Sequence, residues 1–82
     1  MTCKSMPTEY LDADGLRCPL PLLRTKQKLM KMAAGDVLEV VATDAGSWRD
    51  IPAYIEKSHH RLLDKSEPQP GHYRYLIERG ED

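Results

Sequence analysis

The sequence predicts an α+β fold, a two-layer α/β sandwich of order β-α-β-α-β-β with a mixed four-stranded sheet and two helices on one face. Three observations lead there. The chain has 82 residues, enough for one small domain spanning positions 1–82, near the size at which a single core gives only marginal stability. Its apolar residues alternate between a helical spacing and a strand spacing along the chain, with no repeat and no linker to divide it. Two helices can cover only one face of a four-stranded sheet, which gives two layers.

Met1 to Pro7 reads as a flexible tail carrying Cys3, an incidental thiol whose spacing to Cys18 matches no Cys-x-x-Cys motif. Thr8 to Ala13 alternates loosely, as a first strand does, and Asp14-Gly15 turns the chain. Pro19 to Ala33 is the first helix. Leu22/Leu23, Leu29/Met30 and Ala33 are its expected buried stripe, Arg24, Lys28 and Lys31 its basic side, and Lys26 lies between with its stem over apolar surface. Gly35 ends it. Asp36 to Thr43 is a β-branched, nearly continuous apolar strand, expected to pair parallel to the first across the helical crossover.

Ser47-x-x-Asp50 resembles a capping box, and a second helix runs to about Ser58 with Ile51, Tyr54, Ile55 and Ser58 inward. Pro52 argues for a start later than Ser47. Arg61 to Ser66 is a third strand, Glu67 to Gly71 a five-residue turn, and His72 to Arg79 a fourth strand in which Tyr73, Tyr75 and Ile77 alternate with Arg74, Leu76 and Glu78. The last two strands should form an antiparallel hairpin.

The chemistry concentrates at Leu16-Arg17-Cys18-Pro19-Leu20-Pro21. Proline is accepted at the first helical position, and the residue before it is disfavoured in α geometry, so Cys18 is expected at the cap of the first helix. There its sulfur would meet free N–H groups and the positive end of the helix dipole, with Arg17 beside it; these features favour thiolate. The structural alternative is a small buried hydrophobe, the usual fate of a free cysteine. Two prolines stiffening the helix start, and Gly15 allowing a sharp turn before it, favour a presented thiol.

Composition excludes several classes. A chain 40% hydrophobic and 30% charged is globular. No apolar run approaches the ~20 residues of a membrane span and no signal-peptide core opens the chain, so no membrane partner is expected. Two cysteines build no disulfide framework, which suits a reducing cytoplasm. A net charge of −1 gives no general attraction to nucleic acid; an RNA-binding role would rest on Arg17, Arg24, Lys28 and Lys31 alone. Cys18, His59, His60 and His72 lack the close ligand pairs of a zinc site, so no metal and no cofactor is expected. Nothing in the sequence pins a histidine base to Cys18, which reads as the carrier of a reactive group and not as the centre of a complete active site.

Asp12-x-x-Gly15-Leu16-x-Cys18-Pro19-x-Pro21, then Gly35-Asp36, then Asp44-Ala45-Gly46-Ser47-x-Arg49-Asp50-Ile51-Pro52 and Tyr73-x-Tyr75-x-Ile77 resemble, in order and spacing, the TusA/SirA family of small sulfur-carrier proteins. The resemblance runs from about Tyr10 to Arg79 and implies the same two-layer architecture. It implies that Cys18 carries sulfane sulfur as a persulfide, loaded by a cysteine desulfurase or rhodanese-type donor and passed to an acceptor protein. In the best-known branch the sulfur ends in 2-thiouridine of tRNA, a contact only indirect for the carrier; other branches serve molybdenum-cofactor enzymes or sulfur oxidation. Leu20, where the tRNA branch favours an acid, and Gly46-Ser47-Trp48, in place of a threonine-rich turn, depart from that branch.

Gly15, Arg17, Pro19 and Pro21 are then the motif supporting Cys18. Arg24, Lys28, Trp48, Arg49 and Asp50 are candidate partner contacts, weighed against a solvated basic face, a helix cap and a local salt bridge. The rival function is a redox-sensing or regulatory protein-binding module in which Cys18 carries no sulfur.

Overall fold

The structure, a computed structural model, describes residues 7–81. Its elements are β1 (Glu9–Ala13), α1 (Leu20–Met30), β2 (Val37–Ala42), α2 (Ser47–Glu56), β3 (Arg61–Gln69) and β4 (His72–Glu78). Cys3 and most of the expected tail lie outside the described residues.

The sheet order is β1-β2-β4-β3, with β1 parallel to β2 and β4 antiparallel to both β2 and β3. The strand pleat sorts residues between two faces. Leu38, Val40, Ala42, Tyr75 and Ile77 are buried on one face, where they meet Leu29, Met32, Ile51 and Ile55 from the helical layer. On the other face, Glu39 lies between β1 and β4 in register with Tyr10 and Leu76, and accepts a hydrogen bond from Arg74 Nε at 2.7 Å.

Three sequence expectations are corrected. Of the expected α1 stripe, Leu29 is buried and Leu22 packs half-buried against the core, but the buried face is completed by Pro21, Thr25 and, beyond the helix, Met32, and not by Leu23, Met30 and Ala33. Leu23 and Met30 are 43% and 77% exposed, and Ala33 is exposed too. Thr25 enters the core because its Oγ1 donates to the Pro21 carbonyl at 2.8 Å, so no polar atom is left unpaired. Lys26 behaves as expected, its Nζ 5.0 Å from the centre of the Tyr54 ring.

The second correction concerns α2, which does begin at Ser47 and contains Pro52. Proline there removes one N–H, which in a helix would reach the carbonyl four residues back, and the helix tolerates that single loss in its second turn. Its inward residues are Ser47, Ile51 and Ile55, with Tyr54 and Ser58 half-buried.

Third, β3 runs on to Gln69 and leaves a tight turn at Pro70-Gly71, with Gly71 at φ +80. Register shifts between Leu62 and Asp64 and between Ser66 and Gln69 absorb the extra residues. Pro68 is accommodated because β3 is an edge strand and the proline falls within the second irregularity.

Candidate functional site

Because β1 and β2 run parallel, their C-terminal ends lie at the same edge of the sheet, and both helices start there. Gly15, at φ +82, makes the turn out of β1, and its N–H donates to Thr43 Oγ1 at the end of β2 at 2.9 Å. The two loops are thereby tied together, and Cys18 is held between them.

Cys18 does not cap α1. The Leu20 N–H bonds the Arg17 carbonyl at 2.8 Å, forming a turn that makes Pro19 the N-cap and leaves Cys18 outside it. The Cys18–Pro19 peptide is cis. Pro21, in the first turn of α1, is fully buried and anchors the helix start to the core.

The Cys18 sulfur is exposed, and its nearest polar partner comes from the other helix: Sγ donates to Asp50 Oδ2 at 2.9 Å. This overturns the expectation of a favoured thiolate. The hydrogen bond to Asp50 stabilises the protonated sulfur; the charges of Asp50 and Asp44 oppose a third negative charge, while Arg49 offsets them in part. The thiol is held above its ordinary range. The Arg49 guanidinium reaches Asp50 Oδ1 at only 3.9 Å and is 86% exposed, so water screens it.

Asp44 closes the site from the β2–α2 loop. A Cβ built on Gly46 would lie 2.9 Å from Asp44 Oδ2 and 3.8 Å from Cys18 Sγ, so carboxylate and sulfur converge on the open side of this glycine. Asp44 Oδ2 is buried without a hydrogen-bond partner among the described residues. Behind it, the Ser47 hydroxyl donates to the Asp44 carbonyl at 2.8 Å and shares a 2.7 Å hydrogen bond with the fully buried Tyr75 hydroxyl. Burial pushes the Tyr75 phenol up to about 12, the Ser47 hydrogen bond working against it.

Of the other residues singled out in the sequence, Gly15, Pro19, Pro21, Arg49 and Asp50 gather at this edge, and Arg17 is exposed beside Cys18. Arg24 and Lys28 do not join them; they line a shallow hollow with Leu11, Gln27 and Lys31, and Lys28 pairs with Glu9 at 3.1 Å. Trp48 is half-buried, packed near Tyr73 and Tyr75 with Lys65 Nζ 4.1 Å from its ring centre. His60 Nδ1 accepts from the Gly80 N–H at the far end of the hairpin. Among the described residues no three His, Cys, Asp or Glu side chains group closely enough to hold a metal, and no helix is long and apolar enough to cross a membrane.

Sequence reasoning missed the contact of Asp50 with the thiol and the approach of Asp44. The parallel pairing of β1 and β2 brings the two helix starts together, but which side chains meet there is set by the packing of the fold. The Ser47–Tyr75 bond carried no local signal.

The model of the family described as Sulfurtransferase TusA matches residues 9–79. A protein of Allochromatium vinosum named sulfur carrier protein TusA is 44% identical over 71 residues, covering 87% of this chain and 92% of its own length. Two proteins of Neisseria meningitidis, from serogroups A and B and named as sulfur carriers by provisional assignment, are each 47% identical over 73 residues, covering 89% of this chain and 97% of theirs. The crystal structure of a SirA-like protein from Desulfitobacterium hafniense superposes with a TM-score of 0.78 at 27% identity, covering 90% of this chain and all of that one. With this fold, this edge of the sheet and these relatives, the chain belongs to the TusA family of sulfur carriers.

Proposed function

We propose that Cys18 is the sulfur-bearing atom site: it accepts sulfane sulfur as a persulfide from a donor protein and yields it to an acceptor protein. The observation that carries this reading is the exposed Cys18 sulfur on a loop braced by Gly15 and the buried Pro21, open to another protein's active site. In the loading step the Cys18 sulfur attacks the outer sulfur of a donor cysteine persulfide. The donor's S–S bond breaks with its electron pair leaving on the donor cysteine, a new S–S bond forms on Cys18, and the proton of the Cys18 thiol ends on the departing thiolate. No net oxidation occurs, and no cofactor takes part.

A cysteine desulfurase or a rhodanese-type enzyme is the donor class, in a reducing cytoplasm that keeps the thiol free. Arg49, whose charge acts on the sulfur, and Arg17, exposed and next to Cys18 in the chain, are the partner-facing residues of this reading. Thiolation of tRNA is one destination of the sulfur, reached through the acceptor.

The test is to incubate the protein with a cysteine desulfurase and cysteine and to take its intact mass without reductant. A gain of one sulfur atom, absent in Cys18→Ser and removed by a reducing thiol, is the expected result. No gain from either donor class, or a gain that survives in Cys18→Ser, would contradict the reading.

A further inference from the structure

Two carboxylates converge on a sulfur that is meant to react as an anion. Asp50 approaches Cys18 Sγ to 2.9 Å, and Asp44 Oδ2 and Sγ both lie within 3.8 Å of the point where a Gly46 Cβ would stand. The charged groups that act on Sγ are Asp50 and Arg49 from α2 and Asp44 from the β2–α2 loop, while Arg17 precedes Cys18 in the chain and is exposed. Arg49 is 86% exposed and Arg17 is exposed, so water screens both cations more than it screens the acid hydrogen-bonded to sulfur.

We infer that Asp50, with Asp44 behind it, is a selectivity residue: it keeps the empty Cys18 a neutral thiol while leaving the outer sulfur of the loaded persulfide free to ionise. The inference rests on the persulfide reading above. In the empty protein the proton that would be lost is the one shared with Asp50. In the loaded protein the inner sulfur has no proton to donate, and the ionising sulfur lies one S–S bond, about 2.0 Å, further out. The hydrogen bond is gone and the repulsion is weaker. The outer sulfur of a persulfide is also intrinsically more acidic than a thiol. Empty and loaded carriers therefore differ in charge. Free in solution the empty form reacts slowly with stray alkylating and oxidising agents, and the loaded form carries its negative charge on the outer sulfur.

The experiment compares alkylation by iodoacetamide as a function of pH, read by intact mass, for empty and desulfurase-loaded protein. A Cys3→Ser background leaves Cys18 the single thiol. With Asp50 in place, the loaded form should alkylate at markedly lower pH than the empty form. Asp50→Asn should move the empty profile to lower pH and raise its rate at neutral pH several-fold, while the loaded profile stays nearly in place. Asp50→Glu, which keeps the charge, should retain the original gap, and far-UV circular dichroism checks that each variant is folded. An empty profile that stays put or moves to higher pH in Asp50→Asn would overturn the inference, as would equal shifts of both profiles. Failure of the parent protein to load, with Asp50→Asn still moving the empty profile, would overturn the persulfide reading and the loaded half of the inference while leaving the hold of Asp50 on the thiol established.

Discussion

The two helix starts that meet at the site are built in opposite ways. Neither start has a side-chain cap, so the expected Ser47-x-x-Asp50 capping box does not form. The start of α1 has no acid in its first turn and presents the exposed Cys18 just outside its Pro19 cap. The start of α2 has Asp50 in its first turn and a buried Ser47 hydrogen-bonded to the core tyrosine. One start carries the sulfur; the other governs its charge. A reactive residue and the group that tunes it thus come from different elements, so that each is fixed by its own anchor, Pro21 for one and the Ser47–Tyr75 pair for the other. The arrangement depends on the parallel pairing of β1 and β2.

Breaking each side of this comparison should have separable effects. The largest is on function: Cys18→Ser should abolish sulfur uptake by intact mass while changing stability by no more than about 0.5 kcal/mol in urea, since the side chain is exposed. The largest effect on stability belongs to α2. Ile51 is fully buried, and Ile51→Ala should cost about 2–5 kcal/mol in the same titration. Little loss there would mean that α2 is not anchored as described.

Next comes the link beneath α2. Tyr75→Phe removes the hydroxyl shared with Ser47 and should cost about 1 kcal/mol, Ser47 retaining its bond to the Asp44 carbonyl. The same tyrosine sets an alkaline limit. Its folded-state pKa is raised to about 12 from an ordinary 10, so its contribution to stability is complete below about pH 10 and is lost as pH rises toward 12. Unfolding followed across that range should show the decline in the parent and a smaller one in Tyr75→Phe. The smallest effect concerns α1: Leu23→Ser, on the face where a buried stripe was expected, should change stability by under about 0.5 kcal/mol, because the leucine is already 43% exposed.

Legibility in the sequence followed the same division. The order of elements along the chain, the parallel first pair and the hairpin could be read because β2 is nearly all apolar and β4 alternates from His72 to Glu78. Leu23 and Met30 misled because hydrophobicity was counted without the local hydrogen bond that lets Thr25 be buried in their place. Pro68 was read as part of a turn because a sequence does not show which strand lies at the sheet edge. At the site, Cys18 and its supporting prolines were local features and stood out. The raised thiol was not legible, because Asp50 is 32 residues away and reaches the sulfur only through the fold.

The most direct measurement is the Cys18 pKa itself, from the pH dependence of the β-carbon NMR shift of labelled cysteine in a Cys3→Ser background, with and without Asp50→Asn. A value above the ordinary thiol range that falls in Asp50→Asn is the expected result. A value below that range, unmoved by Asp50→Asn, would mean that the start of α1 and Arg17 control the sulfur, and would contradict the division of roles between the two helix starts.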